Sequence, residues 1–271
     1  MSRNEIKAFY SNEMEKDRLE QELFKLEGIR TKEIIGRYLT QKPMDIADIG
    51  GAAGFYSFWL QSMGHRVSLI DLSPKNIELA NAHSKKTGIQ LQRCETGDAT
   101  ALNLASDQFD LVLLMGPLYH LTDKEERVRA LSEAKRILRP GGHVLAAVIS
   151  RYASLFDGFK RDLVMDNKFE ELLVNDLKSG IHLNNTGNPE YFTTAFFHTP
   201  GEIKNEISKS GLLYEKLVAI ESFGWIIDEF AKKSGDAKYM GTLNKFIRMV
   251  ECDEDLIAMS QHIICVGVRP A

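Results

Sequence analysis

The chain has 271 residues, 44% of them hydrophobic, and its 34 Lys and Arg stand against 38 Asp and Glu, a net charge of −4. This length suits one large domain with insertions, or one domain with a small cap. The net negative charge argues against a protein whose entire surface binds nucleic acid. The three cysteines, Cys94, Cys252 and Cys265, form no CxxC pair, which argues against a disulfide scaffold or a zinc ribbon. The first residues are too charged for a signal peptide and no apolar run reaches the ~18–20 residues of a membrane span, so we expect a cytoplasmic protein without a membrane partner.

The first 150 residues change from a helical pattern to an alternating one. Apolar side chains recur at helical spacing over the first 40 residues, with an interruption near Gly28, and predict a helical cap over 1–42. Helices are then predicted over 55–63 and from Ser73-Pro74 to Gly88, and a capping box at Thr122 and Glu125 opens a third. The strands predicted between these helices are 44–49, 65–71, 89–95, 109–115 and 143–150. The alternation predicts an α/β fold with a largely parallel sheet, whose core spans 43–150.

The pattern is looser after residue 150. Residues 151–199 show no clear strand, and a capping box at Thr199 and Glu202 opens a helix to about Ser210. Two further strands are predicted at 212–223 and 261–270, within a C-terminal part that spans 200–271. The segment 151–199 and a mostly helical insertion at 224–260 both leave the carboxyl ends of strands, provided that the sixth strand is parallel to its neighbours. Because ligands bind at that edge of an open α/β sheet, we predict that both insertions, with the N-terminal cap, form a lid within a single domain.

Three short motifs at strand ends indicate a nucleoside cofactor. The segment 48–54, with the sequence DIGGAAG, follows the first strand, and its glycines allow backbone to approach a ligand closely. Asp71 ends the second strand, where an acid accepts from both hydroxyls of a ribose. The third motif, 97–99 with the sequence GDA, follows the third strand. Each is unspecific alone, since the first can be a tight turn and Asp71 a helix cap.

With the strand 109–115 and the LRPGG segment at 138–142, these motifs resemble the class I S-adenosylmethionine-dependent methyltransferases. The resemblance covers 44–150 and, more loosely, 200–270, where the last two strands resemble the closing hairpin of the family. It implies a Rossmann-like fold with a seven-stranded, mostly parallel sheet and an antiparallel last strand, which binds S-adenosyl-L-methionine and releases S-adenosyl-L-homocysteine. The family turn often reads GxGxG, whereas Ala52 occupies the middle position here. The same departure counts against a nicotinamide dehydrogenase.

The resemblance also assigns roles to individual residues. The turn 50–52 would line the methionine part of the cofactor through its backbone, and Asp71 would accept from the ribose hydroxyls. Leu72 would lie against the adenine, Asp98 would accept from its amine and the Ala99 amide would donate to its ring. The full set implied for the cofactor is Gly50, Gly51, Ala52, Asp71, Leu72, Asp98, Ala99, Met115 and Gly116, the last two beside the ribose and the methionine.

The candidate acceptor site lies in the segments next to these motifs. Residues 116–120 stand where amino-methyltransferases of nucleic acids carry Asn-Pro-Pro-Tyr, and Gly116 lacks the amide that accepts from the target amine. His120 is the candidate catalytic base because histidine titrates near neutrality, and Tyr119 the candidate residue for orienting the acceptor; packing is the alternative for both. The predicted substrate contacts are Tyr119, Arg151, Tyr152, His198 and Trp225, with solvated, capping or core roles as alternatives.

The sequence therefore predicts methyl transfer by direct displacement to a small, aromatic or heterocyclic N, O or S acceptor. Aromatic side chains crowd the lid segments and suit a flat acceptor. No cluster of His, Cys and Asp has the spacing of a metal site, so we expect no metal, and we expect a monomer or homodimer without a nucleic-acid partner. Two alternatives stay open: a methyltransferase of RNA or protein, and a non-catalytic relative that binds S-adenosylmethionine as a regulator or scaffold.

Overall fold

A computed structural model describes residues 25–227 and 230–271, and in this part of the chain a nine-stranded sheet carries helices on both faces. The strands are β1 Asp45–Ile49, β2 Arg66–Asp71, β3 Arg93–Thr96, β4 Phe109–Leu114, β5 Leu138–Ser150, β6 Ile181–His182, β7 Ala195–His198, β8 Leu213–Ala219 and β9 His262–Val268. The α-helices are α1 Lys25–Gly36, α2 Phe55–Ser62, α3 Pro74–Thr87, α4 Pro117–His120, α5 Lys124–Ile137, α6 Ala153–Lys160, α7 Asn167–Ser179, α8 Pro200–Lys209, α9 Phe230–Lys233 and α10 Ala237–Val250.

The main body of the sheet has the order β3-β2-β1-β4-β5-β9-β8. Neighbouring strands from β3 to β5 are parallel, and β9 runs antiparallel to both β5 and β8. Because β9 opposes both of its neighbours, β8 is parallel to β5, as the placement of the second insertion required. The Rossmann-like sheet with an antiparallel last strand is thus confirmed, and the carboxyl ends of β1, β2, β4, β5 and β8 meet at one edge.

The segment 151–199 adds two short strands to the predicted helical lid, and the expectation that it holds none is wrong. β7 pairs in parallel with the end of β5, with Phe197 opposite Ile149 and His198 opposite Ser150, and antiparallel with β6. Ile149 also faces His262 of β9, so β7 lies on the β4 side of β5, beyond the point where β4 ends. Strands of two and four residues are too short for an apolar periodicity to reveal them.

Strand alternation divides the apolar core between two helical layers. One face packs against α1 and α2 through residues such as Ile34, Leu60 and Leu111, and the other against α5 and α8 through Leu131 and Ile203. Burial of each such side chain stabilises the fold by roughly 1.5–3 kcal/mol. The loops at the carboxyl edge are therefore attached to a sheet that is packed tightly on both faces. Within the described ranges, no helix has both the length and the apolar character needed to cross a membrane.

The helix before β1 differs from its prediction. α1 continues through Gly28 without a break, and Leu26 and Ile34 are buried on either side of that residue. A glycine in a helix costs only about 1 kcal/mol relative to alanine, so the packing of these two side chains outweighs it. The predicted helical residues of 1–24 lie outside the described part of the chain.

The two predicted capping boxes have different outcomes. Thr199 and Glu202 form both reciprocal bonds of the box at the start of α8, as predicted. At the start of α5 the cap is Asp123, whose carboxylate accepts from the Glu126 N–H at 2.9 Å, and the predicted cap Thr122 lies one residue too early. Aspartate at an N-cap stabilises a helix at least as well as threonine, which explains the shift by one residue.

Candidate cofactor and acceptor site

The turn after β1 brings backbone of the carboxyl edge into close contact. Gly50 has a φ of +71° and donates its N–H to the carbonyl of Ile70 in β2 at 2.7 Å. A Cβ on Gly50 would lie 2.6 Å from Cδ of Pro117, and a Cβ on Gly116 would lie 3.1 Å from the Gly50 carbonyl oxygen. The loops after β1 and β4 thus contact each other through backbone atoms, with no side chain at Gly50 or Gly116. Residue 50 must be glycine because its φ is positive and because a Cβ would clash with Pro117.

Asp71 fixes the conformation of this turn. Its Oδ2 accepts from the Ala52 N–H at 2.9 Å, and its Oδ1 accepts from the Ser73 N–H at 2.8 Å and from the Asn76 amide at 3.0 Å. Burial raises the pKa of this carboxyl above its usual value. A carboxylate offers about four acceptor positions, so one remains beside these three bonds. The resemblance implies that Asp71 accepts hydrogen bonds from both ribose hydroxyls. For this, one of its three present hydrogen bonds must break.

Ala52 itself adopts a conformation that favours glycine. Its φ is +49°, in the left-handed region that costs an L-residue roughly 1–2 kcal/mol. The bond from its N–H to Asp71 holds it there. The alanine in the middle position of the GxGxG pattern therefore adds conformational strain to the folded state that glycine would not have.

The other residues assigned to the cofactor lie on the adjacent loops. Gly97 donates its N–H to the carbonyl of Asp71 at 2.9 Å, which places the loop after β3 beside the end of β2. Asp98 caps its own loop, since its Oδ1 accepts from the N–H of Thr100 at 2.9 Å and from the hydroxyl of Thr100 at 2.7 Å. Three more members of the set are half-buried at this edge: Leu72, Ala99 and Met115.

Asp48, to which the sequence analysis gave no role, lies buried beneath the glycine turn. Its Oδ2 accepts from the Ser57 hydroxyl at 2.7 Å, and its Oδ1 has no hydrogen-bond partner within residues 25–227 and 230–271. Burial raises the pKa of this carboxyl from 3.8 to about 6. A Cβ on Gly51 would collide with the Asp48 carboxylate, so glycine at 51 lets the acid lie directly against the turn.

Tyr119 and His120 belong to the single turn α4, directly after β4. The Tyr119 hydroxyl lies 3.7 Å from the position that a Cβ on Gly116 would take, and its ring packs against a buried cluster that includes Ile149 and Phe197. His120 is buried, bonds to backbone of Thr194 and has a pKa lowered to about 3 by burial. Tyr119 therefore lies beside the contact between Gly50 and Gly116, whereas His120 is neutral and a weak base at neutral pH.

Arg151 and His198, both predicted to contact the acceptor, are held by structural partners. Arg151 donates to the Phe197 carbonyl at 2.8 Å and to both carboxylate oxygens of Glu202 at 2.8 and 2.6 Å. His198 is fully buried, with its Nε2 3.2 Å from a carboxylate oxygen of Glu206, which also pairs with Arg127. These contacts connect β7 and α8 to the sheet and do not support an acceptor role for either residue.

Tyr152 and Trp225, the remaining predicted acceptor contacts, lie in the two insertions. Tyr152 is 37% exposed and immediately precedes α6. Trp225 lies in the short turn after β8, donates its indole N–H to the Met259 carbonyl at 2.9 Å and packs edge-on to Phe156 with ring centres 6.0 Å apart. Trp225 thus packs the second insertion against the first.

The structure also assembles a polar group from three distant segments. Glu27 comes from α1, Glu221 follows β8 and His262 begins β9. The Nδ1 atom of His262 lies 2.6 Å from Oε1 of Glu221 and 3.9 Å from Oε2 of Glu27. One candidate ligand atom from each residue lies within 4.8 Å of the others, a grouping that could hold a metal ion. Sequence spacing did not reveal it because the three residues are far apart along the chain.

Sequence comparison agrees with the position of the cofactor loops. Residues 47–146 match the family described as "Methyltransferase domain". The ubiquinone biosynthesis O-methyltransferase of Methylocella silvestris is 34% identical over 134 residues, which is 49% of this chain and 50% of that protein. The chain thus spans about half the length of the curated relatives that it matches.

Solved structures with the same fold extend over more of the chain. An S-adenosylmethionine-dependent methyltransferase from Mesorhizobium loti aligns with a TM-score of 0.59 and 18% identity, over 90% of this chain and 100% of its own. The [4+2]-cyclase SpnF aligns with a TM-score of 0.56 and 15% identity, over 89% and 80%. At such identities the likeness concerns the fold alone.

The sheet order and the glycine turn at its carboxyl edge define a Rossmann-like α/β protein, a fold that binds nucleoside cofactors at this edge. The match identifies residues 47–146 as a methyltransferase domain, and the fold around it is that of S-adenosylmethionine-dependent methyltransferases, whose cofactor is S-adenosylmethionine.

Proposed function

We propose that this protein transfers a methyl group from S-adenosylmethionine to an N, O or S atom of a small aromatic or heterocyclic acceptor. The observation that carries the proposal is the bare backbone contact between Gly50 and Gly116 beside Asp71. The family match over 47–146 supports it. Because the matched relatives are named O-methyltransferases, hydroxyl acceptors are the first to test.

The residues present fit the cofactor. Gly50 and Gly116 would present backbone groups, without side chains, to the methionine part of the cofactor, and Asp71 keeps one acceptor position for a ribose hydroxyl. The Asp48 carboxylate beneath the turn stabilises positive charge above it. When bound, S-adenosylmethionine supplies a methyl group on a positively charged sulfur.

The contribution of the protein is to position the acceptor and to exclude water. Tyr119, beside Gly116, is the residue that we assign to acceptor orientation. In this proposal the two insertions and α1 close over the same edge. Positioning of the acceptor in a site without water supplies much of the rate enhancement of a displacement reaction. His120, with its pKa lowered to about 3, is assigned to packing rather than to proton removal.

Calorimetric titration with S-adenosylmethionine and, separately, S-adenosylhomocysteine tests the cofactor. In Gly116→Ala the added Cβ would lie 3.1 Å from the Gly50 carbonyl oxygen, at a residue whose φ of −132° is outside the left-handed region. We expect the wild type to bind both ligands and this variant to bind at least about tenfold more weakly, about 1.4 kcal/mol. Gly201→Ala, where nothing lies within 4 Å of the added atom, is the matched control.

Turnover requires a separate measurement, because the fold also occurs in a protein named as a cyclase. Formation of S-adenosylhomocysteine is followed with catechol, a heterocyclic amine and a thiol as acceptors. Product with any of them supports methyl transfer. Cofactor binding with no product from an extended panel would favour the non-catalytic alternative, and absence of binding by folded protein would refute the proposal.

A further inference from the structure

We propose that Phe192 determines the acceptor specificity of this protein. Its ring and that of Tyr119 form an aromatic wall against which the acceptor packs. The acceptor then carries a planar aromatic or heteroaromatic ring rather than a saturated one. This inference rests on the proposed function and names the substrate class of the same site.

The segment that carries Phe192 lies against the turn after β4. The imidazole of His120, in α4, bonds to backbone of Thr194, two residues after Phe192. β7 begins at Ala195 and pairs with the end of β5, on the β4 side of that strand. Phe192 is thus held beside the same turn, α4, that also carries Tyr119.

Tyr119 and Phe192 pack against one buried cluster at this edge. The cluster has four members: Ile149, Ala153, Ala195 and Phe197. The ring centres of Phe192 and Phe197 are 6.4 Å apart. The Tyr119 hydroxyl lies 3.7 Å from the position of a Cβ on Gly116, the residue that contacts the Gly50 carbonyl. Tyr119 and Phe192 are only half-buried, so both keep exposed surface on a cluster that borders the cofactor loops.

The backbone of Phe192 is held in an unusual conformation. Its φ is +67°, in the left-handed region that a residue with a bulky side chain rarely adopts. Asn184 donates its Nδ2–H to the Phe192 carbonyl at 2.6 Å, and Nε2 of His182 lies 2.6 Å from the preceding carbonyl, that of Tyr191. Strained residues persist only where the surrounding structure fixes them, and they are concentrated at sites that hold ligands.

Asn184 is the positioning residue of this loop. Its Nδ2 also donates to the Asn188 carbonyl at 2.7 Å, and its Oδ1 accepts from the N–H and the hydroxyl of Thr186 at 3.1 and 2.6 Å. An aspartate at 184 would keep the accepting oxygen but lose both donors. It would therefore release the Phe192 carbonyl while keeping the bonds to Thr186.

The other aromatic side chains of 191–197 are used in packing. Tyr191, Phe196 and Phe197 are each at most 6% exposed. The guanidinium of Arg127 covers one face of the Phe196 ring, 3.6 Å from its centre. Among the four aromatic residues of 191–197, Phe192 is thus the one that keeps surface for a bound molecule.

An exposed aromatic wall favours a flat partner. Aromatic rings attract one another in offset or edge-to-face arrangements, with centres about 4.5–7 Å apart, beyond what their buried area contributes. A saturated ring of the same size is thicker and has no π system, so it loses this contribution. One such pair corresponds to about a two- to tenfold difference in affinity.

NMR titration of the S-adenosylhomocysteine complex with catechol and with cis-cyclohexane-1,2-diol tests the wall without turnover. We expect the wild type to bind catechol about tenfold more tightly than the saturated diol. Phe192→Leu should weaken catechol binding about fivefold and leave the diol within about twofold, whereas Phe192→Tyr, which keeps the ring, should preserve catechol binding. Phe159→Leu is the matched control, since Phe159 lies in the same insertion and is 65% exposed; it should change neither affinity.

Asn184→Asp tests the positioning of the ring. It should weaken catechol binding about threefold and S-adenosylhomocysteine binding less than twofold, and it should have no further effect in a Phe192→Leu background. Asn185→Asp adds the same charge at the exposed neighbouring position and is the control. In turnover with catechol, Phe192→Leu should raise KM by the factor seen in binding and leave kcat within about twofold, because the wall contacts the acceptor equally before and during transfer.

Two results would overturn the inference. One is the absence of catechol binding to the wild-type complex, and the other is an equal catechol affinity of the wild type and folded Phe192→Leu. Failure of the proposed function is distinguishable. It would appear as absent S-adenosylhomocysteine binding, or as absent product from every acceptor while catechol still binds in a manner that depends on Phe192.

Discussion

Asp48 provides a quantitative test of the packing beneath the glycine turn. Its carboxyl is fully buried, and burial raises its pKa from 3.8 to about 6. The folded protein therefore keeps this proton to a higher pH than the unfolded chain does. Between pH 4 and pH 6 the unfolded state binds fewer protons, so the free energy of unfolding contributed by Asp48 falls as the pH rises.

The magnitude follows from the difference between the two pKa values. They differ by about 2, and each unit corresponds to about 1.36 kcal/mol, so the full loss is about 3 kcal/mol, of which about 2 kcal/mol falls between pH 4 and pH 7. Asp48→Asn removes the titration. Its buried amide costs about 1–3 kcal/mol at every pH, and this cost cancels when the two pH values are compared.

The assay is urea denaturation of wild type and Asp48→Asn at pH 4 and pH 7. We expect the variant to gain about 2 kcal/mol relative to the wild type on going from the lower to the higher pH. Ser57→Ala removes the hydroxyl that lowers the pKa of Asp48, so its stability loss should extend to higher pH. Asp255→Asn, at an exposed position, is the control. Parallel pH dependences for wild type and Asp48→Asn would refute the reasoning.

Three other predictions concern single residues. Ala52→Gly should stabilise the folded state by about 1–2 kcal/mol, because glycine has no left-handed strain at this φ, and should stabilise the unfolded chain by about 0.4–1 kcal/mol through its added entropy. Calorimetry should therefore show a slightly higher Tm and tighter S-adenosylhomocysteine binding. A lower Tm would contradict this. Asp123→Ala should lower the free energy of unfolding by about 1 kcal/mol in urea and Thr122→Ala by clearly less, and equal losses would contradict the observed cap. The exposed Cys252 should react with a thiol reagent in the native protein, whereas Cys265, whose pKa burial raises, should react only after unfolding, and native labelling of Cys265 would contradict its burial.

The cofactor half of the fold could be predicted because its signals are local. Buried parallel strands appear as near-continuous apolar runs such as 109–114, interrupted only by Asp110, and each cofactor motif lies within a few residues of a strand end. The carboxyl ends of parallel strands meet at one edge, so the position of a motif in the sequence also gives its position in the fold. Ala52 shows the remaining limit, since its left-handed φ appears only in the structure.

The acceptor half could not be predicted because its partners are distant in sequence. The residue type of Arg151 indicates an anion partner but not which one, and the structure supplies Glu202 from α8, 51 residues further along the chain. Likewise, Glu221 and His262 are separated by the whole second insertion. Which of these groups are exposed to solvent depends on the packing of both insertions, which local sequence patterns do not predict.

The register at the end of β5 places His198 and His262 on opposite faces of the sheet. Ile149 faces His262 and the adjacent Ser150 faces His198, and neighbouring residues of a strand point to opposite faces. A shift of one residue in the β9 pairing would move His262 to the face covered by α5 and α8, and a shift in the β7 pairing would move His198 to the face covered by α1 and α2. Because β5 lies in the centre of the sheet, paired along both edges, this register is firmly specified. Each histidine is therefore held in a fixed position, His198 beside Glu206 at 3.2 Å and His262 beside Glu221 at 2.6 Å.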